Sequence, residues 1–340
     1  MASATGRATV RAVAADTGVS IATVSRVLNG HAHVAPDTRR RVQEAVDRLN
    51  RQAALNRSAR PVSNGGVLVR CPYELTDYFG PIVSSVAETL RLHRREVRLD
   101  AGGAGYHDDV LRRLPARRDI AGAVLVLPPE SLEELERLRA SGVPFVVVDP
   151  RVRVPRHVLS VSAANFSGAR QASSHLTELG HRRIGVISVE PMLAAGDDRL
   201  AGHASALAHV GAVVDADLFR YGEPIVATGE RLGGELLDVA DPPTAIVCFN
   251  DKVAVGVLHA AAARGIRVPD MLSVVGFDDI DVSTATTPQL TTVRQPLQEM
   301  GRMAVTSLMR MVDGHDAEAL HIELATQLVV RGTTAPPPQD

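Results

Sequence analysis

The chain has 340 residues, 37 Lys+Arg against 39 Asp+Glu for a net charge of −2, and only 3% aromatic residues. That length exceeds one compact domain of common size and implies a small module attached to a large body. No run of about 18 apolar residues and no apolar signal-type N-terminus occur, which argues against a membrane-spanning or exported protein and for a cytoplasmic one.

Val10, Val13, Ala14 and Thr17 recur at helical spacing and predict a first helix, with Gly18 as the turn and Ser20 as the cap of the next. In the second helix Val24, Val27 and Leu28 share one arc, while Ile21, Ala22, Ser25, Arg26 and Asn29 occupy another. A third helix starts at Pro36, with Val42, Ala45, Val46 and Leu49 as its apolar stripe and Arg39, Arg40 and Arg41 in solvent. Three such helices form a small core and leave the polar face of the second free to enter a DNA groove. Stripes of this kind occur in any small helical bundle, so the pattern alone leaves DNA binding open. Charge favours it: residues 1–60 carry ten Arg against four acidic residues, whereas the remainder is acidic.

GVSIATVSRVLNG at 18–30, followed by VAPDTRRRVQEAV at 34–46, resembles the DNA-binding headpiece of LacI-family transcription regulators. The resemblance implies that Ile21, Ala22 and Arg26 face bases and that Thr23, Ser25, Asn29 and Thr38 contact phosphates or support the helix. Arg26 has the fork for a bidentate pair with guanine, whereas Ile21 and Ala22 offer apolar contact to a thymine methyl.

In LNRQAALNRSARPVSNGG at 49–66, Ala53 to Arg60 has the composition of a short helix, ended by Pro61, Asn64, Gly65 and Gly66. In the family this segment is a hinge that folds on DNA and wedges an apolar side chain into the minor groove. Here the usual Pro-Asn start is Ala53-Ala54, and the wedge falls on Ala59 or Arg60. Alanine is too small to unstack a base step well, and arginine suits a narrow minor groove. Arg57, Ala59 and Arg60 complete the expected DNA contacts.

Beyond residue 66 the runs GVLVRC, GAVLVL, FVVVD, RIGVIS, AIVCF and SVVGF alternate with amphipathic stretches, the pattern of parallel sheets covered on both faces. Cys71 and Cys248 lie within such runs and read as buried small hydrophobes. GHRRIGVIS, PPTAIVCFND, GIRVPDMLSVVGFDDI and PQLTTVRQPLQEMGRMA are similar to the family's effector body, itself like periplasmic sugar-binding proteins. The implied organisation is an all-α helix-turn-helix headpiece (1–50), a hinge (51–65) and a two-lobed, periplasmic-binding-protein-like α/β body with parallel sheets (66–334). Its N-lobe takes about 66–163 and 294–323, its C-lobe about 164–293 and 324–334, and the closing APPPQD at 335–340 reads as a disordered tail. The resemblance also implies a homodimer made through the bodies.

Ligands of open α/β sheets bind beyond the carboxyl ends of the strands. Cys71 to Phe79, Asp149, Asn250, Asp251, Asp278 and Asp279 stand there. Short carboxylates and an amide suit a polyhydroxylated ligand. The family motif adds Arg199 in DRLAG and Gln295 in VRQP. For Asp278 and Arg199 ligand contact competes with structural pairing, and Asp251, Asp279 and Gln295 also read as caps or lobe-bridging groups. Tyr78 and Phe79 serve either as a stacking surface or as core. Pro224 stands where sugar-binding relatives often carry an aromatic, and Ala164 where an acid is common.

No P-loop, nucleophile elbow, zinc-protease motif or CxxC pair is present, Lys252 is the only lysine, and His181 in GHRR reads as a turn residue. No enzyme, cofactor or metal site is expected. The reading is a dimeric, sequence-specific transcription regulator, most simply a repressor, whose grip on double-stranded operator DNA answers to a small sugar-like effector. The alternative is a stand-alone small-solute-binding protein.

Overall fold

The computed structural model describes residues 10–28, 34–58, 65–103, 109–190, 193–315 and 320–338, with the backbone alone at 11–12 and 49–58. The headpiece consists of α1 (Val10–Thr17), α2 (Ile21–Leu28) and α3 (Pro36–Ser58). Val13, Val24, Val27, Val42 and Ala45 are buried together between them. Gly18 takes φ +69° at the turn, a conformation that suits glycine, and the Thr23 amide donates to Ser20 Oγ at 3.2 Å to cap α2. Arg41 donates to the Thr17 carbonyl at 2.9 Å and Arg48 pairs with Asp16, which ties α3 to α1.

Two headpiece expectations are corrected. Leu28, grouped with the inward valines, is 41% exposed because it ends α2 at the margin of the buried arc. The third helix does not stop before a separate hinge helix but continues to Ser58, since nothing between 47 and 58 breaks it.

The body begins with β1 (Gly66–Cys71), α4 (Phe79–Leu92), β2 (Val97–Ala101), α5 (Val110–Arg113), β3 (Ile120–Val126), α6 (Leu132–Ala140), β4 (Phe145–Val148) and β5 (Ser160–Ala163). A second unit follows: α7 (Asn165–Glu178), β6 (Ile184–Val189), α8 (Ala194–His209), β7 (Phe219–Gly222), α9 (Val226–Leu237), β8 (Ala245–Cys248), α10 (Asp251–Ala263), β9 (Ser273–Asp278), α11 (Val282–Ala285) and β10 (Thr291–Arg294). The chain then returns to the first unit with α12 (Leu297–Val312) and β11 (His321–Leu324), and crosses again into β12 (Gln327–Val329). Two six-stranded sheets result, in the orders β11-β5-β4-β3-β1-β2 and β12-β10-β9-β8-β6-β7. All pairings are parallel except β10 with β12.

The central strands β1, β3, β4, β6 and β8 are buried on both faces, which is why they read as largely apolar runs, while the edge strands are partly exposed. In the first lobe Met300, Ala304 and Leu308 of α12 pack with Ile82, Val86 and Leu90 of α4. In the second lobe α9 and α10 touch through glycines: a Cβ on Gly256 would lie 2.1 Å from the Val226 carbonyl oxygen.

One further expectation changes. His181 stands just past the end of α7, where its amide donates to the Leu176 carbonyl at 3.0 Å, and its ring is buried at 1% exposure, bonding Thr244 Oγ1 at 2.8 Å and the Ala335 carbonyl at 2.8 Å. The chain end read as disordered is therefore held as far as Ala335, whose amide also donates to Ser273 Oγ at 3.1 Å. Cys71 and Cys248 are buried free thiols in different lobes, and burial pushes the Cys71 thiol up to about 11.

Candidate functional site

On the headpiece, α2 turns Ile21, Ala22 and Arg26 outward, with Ile21 53% exposed, while Thr23, Ser25 and Thr38 of α3 are half-buried beside them. Buried Val24 and Val27 fix the opposite face, so this surface is set by core packing. Asn29, Ala59 and Arg60 lie outside the described residues. Arg57 lies in the last turn of α3, where only the backbone is described.

The second site lies between the lobes, beyond the carboxyl ends of the strands. Among the described residues five that are not glycine have positive φ, and four stand here: Leu127 (+43°), Asp149 (+50°), Asp278 (+111°) and Asp279 (+56°). Left-handed backbone costs of order 1–3 kcal/mol per residue, and such strain gathers where side chains must be aimed. Leu127 follows β3, Asp149 follows β4, and Asp278 and Asp279 close β9, so both sheets present their ends to one cleft.

A cavity of about 170 Å³ occupies it, lined by Tyr78, Phe79, Asp149, Arg199, Pro224, Asn250 and Asp278 among others. Arg199 organises the floor. Its Nε donates to Asn165 Oδ1 at 2.9 Å, its Nη1 to the Phe249 carbonyl at 2.5 Å, and its Nη2 stands 3.6 Å from Asp278 Oδ1. The guanidinium also lies 3.6 Å over the Phe277 ring and 4.4 Å over Phe249. Burial raises the Asp278 carboxyl to about 6, opposed by Arg199 and by Gln295, whose Nε2 donates at 2.6 Å. Asp149 is raised by burial too, and accepts a 2.8 Å bond from Tyr78 Oη, whose phenol burial holds well above its ordinary range.

Asn250 is spent locally: its Oδ1 caps α10 through the Val253 amide at 2.9 Å and its Nδ2 donates to the Pro224 carbonyl at 3.2 Å. Gln295 does not line the cavity and acts on Asp278 from behind. Asp251 is fully buried under Thr292 and the Ile280 amide, and Asp279 pairs with Arg294 and Arg331; both are structural. Ala164, where an acid was expected, leaves Asn165 beside it to hold Arg199.

The sequence reading missed Leu127, Phe249, Lys252, Leu193 and Ile280 in the lining. Leu127, Phe249 and Lys252 each stand within four residues of a strand's carboxyl end, so the rule that found Asp149 applies to them equally. Leu193, at the start of α8, carries no such signal. The lobes are joined across the cleft by Lys252 with Asp77 at 3.6 Å, Arg153 with Asp198 at 2.5 Å, and the Ala194 amide with the Arg151 carbonyl at 2.8 Å.

Comparison with known proteins places both sites in context. Residues 9–52 match the family described as bacterial regulatory proteins, lacI family, and residues 173–334 match the periplasmic binding protein-like domain. The chain is 32% identical to the HTH-type transcriptional regulator CelR of Thermobifida fusca, covering 96% of this chain and 98% of that protein. It is 31% identical to the HTH-type transcriptional repressor CytR of Escherichia coli (strain K12), over 96% of each. Among solved structures, the transcriptional regulator CelR–cellobiose complex superposes with a TM-score of 0.72 at 31% identity, over 96% of this chain and 100% of that one. The lac repressor dimer bound to operator and the anti-inducer ONPF does so with a TM-score of 0.71 at 26% identity, over 96% and 99%. No described helix is long and apolar enough to cross a membrane.

Proposed function

Because this chain belongs to the LacI family of bacterial regulatory proteins, we propose that it represses transcription as a homodimer on a near-palindromic operator and releases it in response to a sugar-like effector. Sequence-specific DNA binding and transcription regulation are the family's activity, and the chain's relatives are regulators, not enzymes. The proposal adds the sign of control, the residues and the ligand class. It divides the chain into headpiece (1–50), hinge (51–65) and body (66–334), and places the protein in the cytoplasm with its DNA.

One observation carries the reading: the outward face of α2 bears Ile21, Ala22 and Arg26 at the opposite pole of function from a cleft whose carboxylates are aimed by strained backbone. The α2 helix enters the major groove, Arg26 forks onto a guanine, and Ile21 and Ala22 meet methyl groups. Thr23, Ser25, Asn29 and Thr38 contact phosphates or support the helix, Arg57 adds to the DNA contacts, and Ala59 or Arg60 takes the minor-groove position, the one without the bulk to unstack a base step and the other suited to a narrow groove. In the cleft Asp149, Asp278 and Arg199 take hydroxyls, with Tyr78, Phe79 and Pro224 against the ring and Asn250 and Gln295 as supports.

Ligand that prefers one arrangement of the lobes shifts their equilibrium and, with it, the headpiece spacing across the dimer. The relative solved with cellobiose lends the carbohydrate class its support. A stand-alone solute-binding role has no use for an exposed arginine helix. The experiment is a gel shift on duplex from the gene's own upstream region, repeated with added monosaccharides and disaccharides. Retention of the duplex that a sugar reverses is the expected result. Retention that no sugar alters would remove the effector half of the reading.

A further inference from the structure

The body is acidic as a whole, yet it has a basic edge where the chain arrives from the headpiece. Residues 91–98, RLHRREVR, carry four Arg and one His against one Glu, and residues 112–119, RRLPARRD, carry four Arg against one Asp. The first run ends α4 and enters β2, the second leads into β3, and these two strands flank β1 in the sheet. Their loops therefore clasp the start of β1. The Gly66 amide donates to the Asp119 carbonyl at 2.9 Å, the Val67 amide to the Glu96 carbonyl at 2.8 Å, and Arg95 to the Gly65 carbonyl at 3.4 Å. Gly66 follows Ser58, the end of α3, by eight residues, which at about 3.3–3.6 Å per residue span at most roughly 30 Å. The arginine edge thus surrounds the point by which the body is tethered to the headpiece.

Several of these arginines are neutralised where they stand. Arg98 pairs with Glu96, Arg112 and Arg113 with Asp109, and Arg117 with both oxygens of Asp119. Arg91, Arg94 and Arg118 are exposed and have no ion pair among the described residues. Backbone geometry singles out Arg94. Helix α4 closes in a Schellman turn, with the Arg95 amide on the Leu90 carbonyl and the Arg94 amide on the Arg91 carbonyl, both at 2.9 Å, and the left-handed position falls on Arg94 at φ +57°. At the same place after α6, α7, α8, α10 and α12 the chain puts glycine: Gly142, Gly180, Gly211, Gly265 and Gly314, all at positive φ. Glycine takes that position without strain, and arginine does not. The helix dipole does not call for a cation there, because Arg91 already stands in the last turn. Of the five strained non-glycine residues among those described, four aim at the cleft, and Arg94 is the fifth. Backbone energy is given up at this one helix end to keep a charge in solvent beside the tether.

We propose that Arg91, Arg94 and Arg118 form a second phosphate-binding surface, on the body itself, that holds the backbone of the operator duplex beyond the phosphates gripped by the headpiece. The cations stand on two loops separated by β1, hence about 10 Å apart at the usual strand spacing, which suits a linear array of phosphates. Contacts of this kind carry no sequence information and add affinity and salt dependence to every duplex alike. The inference rests on the headpiece bringing DNA to the body.

The test is anisotropy of the full chain on a duplex from the gene's upstream region and on random duplex, each over a range of salt. A phosphate contact contributes a slope of about 0.9 in log affinity against log salt, which at about 0.15 M amounts to roughly fivefold. Arg94→Gly and Arg118→Ala are each expected to lose at least about fivefold on both duplexes, with a slope smaller by about 1 for every protomer engaged and the ratio between the duplexes unchanged. Arg94→Gly also relieves the backbone, so it is expected to melt no lower than wild type, and its loss of DNA then comes from the charge and not from the fold. Arg267→Ala removes an exposed cation from the second lobe and is expected to bind both duplexes as wild type does. Unchanged affinity and slope in the first two variants, an equal loss in Arg267→Ala, or a loss confined to the upstream duplex would overturn the proposal. So would a smaller assembly in sedimentation, which would assign the arginines to an interface between copies of the chain. Failure of the headpiece reading is distinguishable, because the wild type would then bind the two duplexes alike.

Discussion

Arg199 Nη2 stands 3.6 Å from Asp278 Oδ1, and the same guanidinium is already held by Asn165, the Phe249 carbonyl and two aromatic rings. Both line the cleft, but Arg199 also joins α7, α8 and the end of β8, whereas the role proposed for Asp278 is contact with the effector. Removing Arg199 strands buried acceptors, and Arg199→Ala is expected to cost about 3–5 kcal/mol of stability along with the effector response. Asp278→Asn keeps the side chain's shape, so it is expected to keep the fold and DNA binding while losing release by effector. Thermal melts run beside DNA-release assays separate the two, and an Arg199→Ala melt like wild type would contradict the assignment.

The pH dependence of effector binding follows from Asp278. Burial places its carboxyl at about 6, above the ordinary aspartate value near 3.9. A raised carboxyl favours the folded state in its protonated form, so its contribution to stability is complete below about pH 4 and lost as pH rises through about 6. In the proposed site binding runs the other way, because the hydroxyls of an effector would donate to the ionised carboxylate. Effector affinity should rise between pH 5 and 7.5 and become flat in Asp278→Asn. A flat wild-type profile would take Asp278 out of ligand contact.

On the headpiece, Arg26→Ala is expected to lose roughly 1–3 kcal/mol of specific binding while the melting curve and binding to random duplex stay close to wild type. Arg26 is exposed, so its loss leaves no hole in the core formed by Val13, Val24, Val27, Val42 and Ala45. Unchanged affinity for the selected operator would reassign the recognition surface.

Two glycines of the second lobe give a packing test. At Gly256 a Cβ meets the Val226 carbonyl at 2.1 Å and the Glu230 amide at 2.4 Å, both backbone atoms, so α9 and α10 must separate. At Gly234 the obstacle is the tip of the Arg264 side chain at 2.7 Å, which swings aside. Gly256→Ala is expected to cost about 1–3 kcal/mol or more, whereas Gly234→Ala should be near neutral. Denaturant titration of both variants checks the contrast.

Much of this was legible in the chain because burial dictates pattern. The six apolar runs became β1, β3, β4, β6, β8 and β9, since strands covered on both faces have no place for polar alternation. The strands that escaped notice, β2, β5, β7, β10, β11 and β12, are short and mostly carry polar residues on one face, as in Ser160–Ala163 and His321–Leu324. The cleft followed the same logic in part: the polar residues just after visible strands were found, whereas apolar neighbours such as Leu127 and Phe249, and Leu193 at a helix start, were not. The burial of His181 was not legible, because its partners, Thr244, Ser273 and Ala335, come from three distant segments.

The account depends most on α2 reading base edges, and competition anisotropy tests that most directly. A labelled duplex from the gene's upstream region is bound by the full chain at about 0.15 M salt and challenged with unlabelled copies of itself or with random duplex. The expected result is that random duplex must exceed the specific competitor by about 10³-fold or more to displace the label equally. Equal displacement by the two competitors would contradict it.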